Sequence, residues 1–355
     1  MRKYRLLSLA AAALTAMLSV TAHAEKKDQF SVCWTLYAGW MPWGYASTSG
    51  IIDKWAKKYD INIDVVQLND YVESINQYSA GQFDGCTMTN MDALTIPAAG
   101  GVDSTALIVG DYSNGNDGLL IKGEGKTLAD IKGMQVNLVE LSVSHYFLAR
   151  ALESAGLSER DVRVVNTSDA DIVAAFSTAD VQAGATWNPM LAEITSQPGI
   201  TQVFDSSKIP GEILDMMVVN TQTLKDNPDF GKALVGAWFE IMALMQSGTE
   251  QANEALLEMA KASGTDLDGY NAQLSTTKMF YTPQETVDLV TSPALPETMR
   301  KVASFSFQHG ILGEGASSPD AIGMSFANGV VTGDKGNIKL RFDPTYVQMA
   351  ADNKL

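Results

Sequence analysis

The sequence predicts an α/β protein with two lobes, each built from a mainly parallel sheet flanked by helices. After residue 29, short apolar stretches alternate with amphipathic ones in the order β-α-β-α-β, a pattern typical of a parallel sheet. Roughly 330 residues remain after an amino-terminal leader, more than one hydrophobic core comfortably holds. In addition, residues 169–191 repeat the order of elements seen over residues 73–94. Length and internal similarity together favour two lobes.

Residues 1–24 have the pattern of a secretory signal peptide. The basic start is followed by an apolar run over residues 6–20 and by the small-x-small site Ala22-His23-Ala24. No cysteine follows this site to accept a lipid, and no later apolar run approaches the roughly 20 residues that a membrane span needs. We therefore expect an exported periplasmic protein that does not insert into the membrane.

The overall charge excludes some classes of partner. Asp and Glu number 41 against 25 Lys and Arg, which gives a formal net charge of −16. Such an acidic chain is a poor partner for nucleic acid or an anionic membrane surface. The charge is compatible with a cationic ligand, although it also serves solubility.

The aromatic stretch CWTLYAGWMPWGY over residues 33–45 is the feature around which we interpret the chain. A short strand is predicted to open into a loop, because Gly39, Pro42 and Gly44 disfavour both strand continuation and an immediate helix. Aromatic faces at the carboxyl end of a strand attract small cations and planar groups. An aromatic core that caps the sheet edge is the alternative. The candidate ligand contacts here are Trp34, Tyr37, Trp40 and Trp43.

The first lobe continues with a helix over residues 47–58, a strand over 61–68, a helix capped by Asp70, and a strand over 83–89. Asn90 and Asp92 follow the last of these strands directly. Capping of the next helix explains only one of the two polar side chains, so we predict that they contact the ligand.

A loop over residues 111–118, DYSNGNDG, is predicted to carry the chain into the second lobe. A later strand ends on Glu140, and Ser142 or Ser144 begins the next helix. Glu140 is predicted to contact the ligand, although complementing the helix dipole would also explain it. Ser142 and His145 are added as candidate contacts. A structural role for His145 is equally consistent with the sequence.

The internal similarity places Trp187 where the first lobe has Asn90 to Asp92, so both loops should face one cleft. The chain is predicted to return around residues 209–220, and Asp215 lies on this return. The predicted lobes are residues 25–114 with 219–355, and residues 115–218. The helical tail should pack on the first lobe.

The sequence offers little for catalysis. It lacks HExxH, GxSxG, a Walker loop and any Cys/His cluster with metal spacing, so we predict no catalytic residues, no metal and no cofactor. Cys33 and Cys86 are predicted to lie on neighbouring strands of one lobe. Because a bridge between adjacent parallel strands has awkward geometry, we favour two buried thiols over a disulfide.

Several segments, in order, resemble the periplasmic substrate-binding proteins of the nitrate, sulfonate and taurine ABC-transporter class. They are WMPWGYASTSGIIDKWAKKY, SAGQFDG, GGVDSTALIVGDYSNGNDGLLIK, LADIKGMQVNLVELSVSHYFLARALESAGL and AAFSTADVQAGATWNPML. The resemblance implies a two-lobed binding protein whose chain crosses between the lobes twice. It also implies that the protein delivers a small ligand to a permease and its ATPase. We expect a monomer. A sensor module or an enzyme is a less favoured alternative, and the cysteine-rich motif of the related pyrimidine synthases is missing.

Within that class, NLVELSVSHYFLARAL and VVNTSDADIVAAF resemble the branch associated with urea carboxylase operons, for which guanidine is the better substrate. The predicted site loops carry Asp92, Glu140 and Asp215 but no Lys or Arg, so oxyanion ligands are disfavoured. Guanidinium is planar and rimmed with donors, so it suits aromatic faces and carboxylate edges. Urea or another small amide or amine is the alternative.

Overall fold

The computed structural model describes residues 27–313 and 315–355, so the predicted signal peptide lies outside the described residues. The chain folds into a mixed α/β structure with two separate sheets, which confirms the predicted two-lobed fold class. Within the described ranges, no helix is long and apolar enough to cross a membrane.

The strands are β1 Gln29–Trp34, β2 Asn62–Gln67, β3 Gly85–Thr89, β4 Ser104–Ser113, β5 Asp117–Lys122, β6 Gln135–Leu138, β7 Arg163–Asn166, β8 Ala183–Trp187, β9 Ile200–Asp205, β10 Leu214–Asn220, β11 Thr277–Met279, β12 Gly323–Ser325, β13 Val331–Thr332 and β14 Ile338–Phe342. The helices are α1 Met41–Thr48, α2 Ile51–Lys58, α3 Tyr71–Ser79, α4 Asn90–Ala93, α5 Val143–Ser154, α6 Ile172–Phe176, α7 Met190–Thr195, α8 Thr221–Asp226, α9 Pro228–Gln246, α10 Glu250–Ala262, α11 Leu267–Ser275, α12 Pro283–Val290, α13 Ala294–Gln308 and α14 Thr345–Ala351.

The first sheet has the strand order β13-β12-β14-β4-β10-β3-β1-β2, with β11 added on β4, and the second has the order β7-β6-β8-β5-β9. Both sheets contain parallel as well as antiparallel strand pairs. The pairs β1–β2, β1–β3, β6–β7 and β6–β8 are parallel. In contrast, β5 and β10, which follow the two crossings of the chain, pair antiparallel with their neighbours. The carboxyl ends of β3 and β8 thereby point toward the junction of the two sheets.

The first crossing is shorter than the sequence predicts. Residues 111–118 are not a continuous loop, because β4 runs to Ser113 and β5 begins at Asp117. Pairing of β4 with β10 and β11 overrides the turn preference of Asp111 and Ser113, whereas Asn114 and Gly115 remain in the bend between β4 and β5. Since β10 also belongs to the first sheet, we propose lobes that divide after residue 114 and again just before β10, rather than at residue 218.

The aromatic segment is also more regular than predicted. Helix α1 begins at Met41, inside the stretch that we expected to form a loop. Pro42 lies in the first turn of this helix, where a missing N–H costs nothing. Gly44 is required for packing, because a Cβ there would lie 2.7 Å from the Trp34 ring. The helix predicted over residues 47–58 is divided at Gly50, which has φ of 80°.

The two cysteines form a disulfide, so the prediction of free thiols is wrong. Cys33 on β1 and Cys86 on β3 are direct partners in the parallel register, with their Cα atoms 4.4 Å apart. Directly paired residues project to the same face of a sheet, which brings the two sulfurs together. The sequence could not reveal this register.

The tail helices pack on the first sheet through buried side chains of α9. Trp238 stacks on Trp43 of α1, with ring centroids 4.9 Å apart, while Phe239 and Met242 are buried beside it. The aromatic side chains of residues 33–45 therefore divide between this core and the junction of the lobes.

Candidate ligand-binding site

A small, partly open cavity of about 20 Å³ lies where the two sheets meet. This volume exceeds the roughly 10–15 Å³ that one water requires, so the cavity suits a ligand of very few heavy atoms. Residues from both sheets line it. They are Tyr37, Trp40, Tyr71, Thr89, Asp117, Val143, Trp187, Ile213 and Asp215.

Four aromatic rings form a connected wall around the cavity. Tyr37 meets Trp40 edge to face at a centroid distance of 5.0 Å, and Trp40 lies 5.9 Å from Tyr71. Tyr71 in turn meets Trp187 at 5.6 Å. The Trp187 Nε1–H donates to the carbonyl of Leu36 at 3.1 Å, which ties the end of β8 to the segment after β1. The wall is thus held from both lobes.

Two carboxylates, Asp117 and Asp215, face the cavity, and two more lie close behind the lining. Asp111 is the register partner of Asp215 on β4, and its Oδ1 accepts from the Tyr37 hydroxyl at 2.7 Å. Asp92 accepts from the hydroxyls of Tyr71 at 2.6 Å and Thr89 at 2.9 Å. Each of the four aspartates is at least 96% buried.

This burial makes ionisation of the aspartates costly. Loss of solvation raises the pKa of Asp92 and of Asp117 to about 6, and that of Asp111 to about 7. The pKa of Asp215 is raised well above its ordinary value, first by burial and then by the neighbouring charge of Asp111. No Lys, Arg or His is among the residues that line the cavity in the described chain.

Three buried carboxylate oxygens, Asp92 Oδ1, Asp111 Oδ2 and Asp215 Oδ2, accept from no N–H or hydroxyl donor among the described residues, although the Asp111 and Asp215 carboxyl groups are close enough to hydrogen-bond to each other. Buried polar atoms normally have partners, so each such atom calls for an explanation. A donor-rich or cationic ligand could donate hydrogen bonds to these oxygens. The electrostatics of the site therefore favour positive charge and oppose an oxyanion.

Of the aromatic candidates from the sequence, the structure brings Tyr37, Trp40 and Trp187 to the cavity. Trp34 and Trp43 do not line it. Trp34 packs beneath Gly44, and Trp43 stacks on Trp238 in the core of the first lobe. For these two side chains the structure supports the alternative of an aromatic core.

Among the polar candidates, Asp215 lines the cavity and Asp92 supports Tyr71 and Thr89 from behind. Asn90 does not line it. Its Nδ2 donates to the carbonyl of Glu212 and its Oδ1 accepts from the Leu214 N–H, so it joins the end of β3 to the return crossing. These hydrogen bonds occupy the side-chain amide of Asn90, so it is not free to contact a ligand.

Glu140 and Ser142 also lie outside the cavity lining. Glu140 is exposed and borders a separate surface depression. The chain turns sharply at the next residue, where Leu141 has φ of 62°, and this turn separates Glu140 from the cavity. The Ser142 hydroxyl caps α5 by accepting from the Ser144 N–H.

His145 belongs to a different cluster, with Glu159 and His309. Its Nδ1 accepts from the Leu141 N–H at 3.1 Å, so its Nε2 carries the proton and donates to Glu159. His309 Nε2 lies 2.9 Å from the other oxygen of Glu159. This is a metal-like donor set, but the bond from Leu141 leaves His145 Nε2 without a free lone pair. The structure thus supports a hydrogen-bonded role for His145.

The sequence analysis missed Tyr71, Thr89, Asp111 and Asp117. Tyr71 begins α3 just after β2, and Thr89 ends β3, so both occupy the strand edge that already held the predicted site. The two aspartates fell within the segment interpreted as a loop. A correct strand assignment for β4 and β5 would have placed them at the same edge.

Gly39 offers a direct test of how tightly this wall is held. A Cβ at this position would lie 2.5 Å from the Tyr37 ring and 2.7 Å from Asp111 Oδ2. We expect Gly39→Ala to displace both groups and weaken ligand binding several-fold, measured by calorimetry. Gly315→Ala is the control, because nothing lies within 4 Å of that Cβ. Equal affinity of both variants and the parent would contradict a role for this close contact.

A two-lobed α/β fold with a small cavity between the lobes is typical of solute-binding proteins, and solved structures of such proteins have the same fold. The alkanesulfonate-binding protein SsuA from Xanthomonas axonopodis pv. citri, bound to MOPS, superposes with a TM-score of 0.67 at 16% identity, covering 82% of this chain and 96% of that one. The periplasmic aliphatic sulphonate binding protein SsuA from Escherichia coli gives a TM-score of 0.65 at 19% identity, covering 81% and 94%. These matches show the fold.

Sequence relatives point to the same class. The taurine-binding periplasmic protein of Escherichia coli (strain K12) is 22% identical over 207 residues, which cover 56% of this chain and 63% of that protein. The model of the NMT1/THI5 like family matches residues 55–252. The chain belongs to the NMT1/THI5-like family, and the relatives that it matches are binding proteins, so it is a solute-binding protein rather than an enzyme.

Proposed function

We propose that this protein binds guanidinium in the cavity between its lobes and delivers it to the permease and ATPase of an ABC importer. One observation carries the proposal. The cavity has aromatic walls, two lining carboxylates and no basic residue among the described residues that line it. A small planar cation matches each of these features.

Aromatic contact explains how such a cation would be held. Guanidinium is weakly hydrated, and its flat faces are attracted to Trp and Tyr rings within about 6 Å of the ring centre. Trp40, Tyr71 and Trp187 provide such rings on neighbouring sides of the cavity. The donors on the rim of the ligand would then be free to meet Asp117 and Asp215.

Charge distinguishes guanidinium from urea, because both have four heavy atoms and a similar outline. Urea would lose the cation–π attraction and the charge assistance of its hydrogen bonds, together about 2 to 4 kcal/mol. Its oxygen would also face an acidic wall. The sulfonates and the zwitterion taurine named for relatives carry a sulfonate group, and no Lys, Arg or His among the described residues lines this cavity to pair with it.

Calorimetry with guanidinium, urea, taurine and nitrate tests the proposal directly. At a ligand efficiency of roughly 1.5 kcal/mol per heavy atom, guanidinium should bind with a Kd of tens of micromolar or tighter. Urea should bind about a hundredfold more weakly, and neither nitrate nor taurine, which carries a sulfonate group, should bind. Displacement of guanidinium by urea at comparable concentration, or binding of an anion alone, would rule the cation site out.

Two further observations would bear on the transport role. Incubated guanidinium should be recovered unchanged by mass spectrometry, since the chain is a binder. The gene should stand beside genes for a permease and an ATPase. A neighbouring carboxylase gene would agree with the resemblance of residues 137–152, which include NLVELSVSHYFLARAL, to the branch from urea carboxylase operons.

A further inference from the structure

One pair of carboxylates at the acidic cavity, Asp215 in its lining and Asp111 directly behind it, cannot both be charged at low cost. Asp111 on β4 and Asp215 on β10 are direct partners in an antiparallel register, and like charges in this position repel. Both are almost fully buried, and each has an Oδ2 without a protein donor. The pair resembles two carboxyl groups that share a site, where one is expected to keep its proton.

The surroundings do not neutralise the pair. The titratable groups packed near it are Tyr37, Asp117, Tyr270, Tyr281 and, on the other side of Thr89, Asp92. The tyrosines stay neutral, because burial raises the pKa of all three. The remaining two are acids, so they add negative charge. The Tyr37 hydroxyl donates to Asp111 Oδ1 and also lies within hydrogen-bonding range of Asp215, and the two carboxyl groups are close enough to hydrogen-bond to each other.

We infer that the site exchanges a proton for its ligand: the Asp111–Asp215 pair holds a proton in the ligand-free protein and releases it when a cation binds. This inference rests on the proposed function, because it takes the ligand to be cationic. A cation beside Asp215 supplies the opposite charge that the pair lacks, which favours the ionised form of both carboxylates. Binding and deprotonation are then coupled through the same oxygen atoms.

The direction of the pH dependence follows from this coupling. In the ligand-free protein burial raises the pKa of both carboxyls, to about 7 for Asp111 and well above its ordinary value for Asp215. The cation lowers both pKa values in the complex. Affinity should therefore be highest at alkaline pH and should fall as the pH decreases through neutrality. One released proton corresponds to about a tenfold change in Kd per pH unit.

Calorimetry of guanidinium chloride binding to the intact protein provides the test. At pH 7, titrations in phosphate and in HEPES, at equal ionic strength, should give different enthalpies, because a released proton is taken up by the buffer. The difference should correspond to about one proton, and log Kd should change by about one per pH unit between pH 7 and 6. Identical enthalpies and a flat Kd would overturn the exchange.

The outcomes separate this inference from the proposed function. If guanidinium fails to bind at any pH, the cation site itself is wrong. If it binds equally at all pH values, only the exchange is wrong. Asp111→Asn should bind with much less proton release, because no partner carboxylate remains to share a proton. Glu140→Gln, an exposed position outside the cavity, should retain the full pH dependence of the parent.

Discussion

Replacing Asp215 with Asn should weaken guanidinium binding about ten- to hundredfold. Asp215 lines the cavity, and its Oδ2 is buried and accepts from no N–H or hydroxyl donor among the described residues, so a ligand donor can reach a full charge there. A hydrogen bond to a charged group contributes about 1.5 to 3 kcal/mol, and the amide of Asn retains only the neutral part. The affinity should be measured by calorimetry at pH 8, because the release of a proton from the carboxyl pair contributes less to the measured Kd at that pH.

The same substitution should stabilise the ligand-free protein at pH 8. The pKa of Asp215 is raised in the fold, so ionising it costs stability, and this cost grows as the pH rises through the folded pKa. The parent should thus melt at a lower temperature at pH 8 than at pH 6, and Asp215→Asn should reduce that difference. Glu140→Gln serves as the control for both affinity and melting. An Asp215→Asn variant with parental affinity would exclude Asp215 from the site.

Removing the disulfide should destabilise the protein by about 4 kcal/mol. The bridge joins residues 53 apart in sequence, and closing a loop of that size restricts the unfolded chain by roughly this amount. It also joins β1 to β3, and Thr89 at the end of β3 lines the cavity. We expect the double variant Cys33→Ala with Cys86→Ala to unfold at a markedly lower urea concentration than the parent.

A reductant separates the bridge from the packing of the side chains. Dithiothreitol should shift the urea midpoint of the parent toward that of the double variant and leave the variant unchanged. Any difference in urea midpoint that remains between the reduced parent and the double variant measures the packing contacts of the two sulfur atoms. If the oxidised parent and the double variant unfold at the same midpoint, the bridge does not contribute to stability.

Local patterns were enough to predict several elements of the fold. The alternation that predicts β2, the Asp70 cap of α3 and the strand that ends at Thr89 all appear where the sequence indicates them. The internal similarity correctly aligned Trp187 with the end of β3, because both positions follow a short buried strand. These features depend on residues that lie close together in sequence, so periodicity and capping preferences reveal them.

The candidate site was only partly predictable. Tyr37, Trp40 and Trp187 were selected because they follow predicted strands, and Asp215 because it lies on the predicted return crossing. Glu140 was selected by the same reasoning, yet a turn at Leu141 separates it from the cavity. Asp117 was overlooked, because its segment has loop composition although pairing with β8 and β9 holds it in a strand.

The sequence by itself determined the α/β class, the two lobes and the aromatic and acidic character of the cleft, because composition and local spacing encode them. The tertiary structure decided which of those side chains meet. Register placed Cys33 opposite Cys86 and Asp111 opposite Asp215, and core packing assigned Trp34 and Trp43 to the interior. Register and core packing depend on contacts between residues that lie far apart in the chain. The free energy of these contacts cannot be inferred from local sequence patterns.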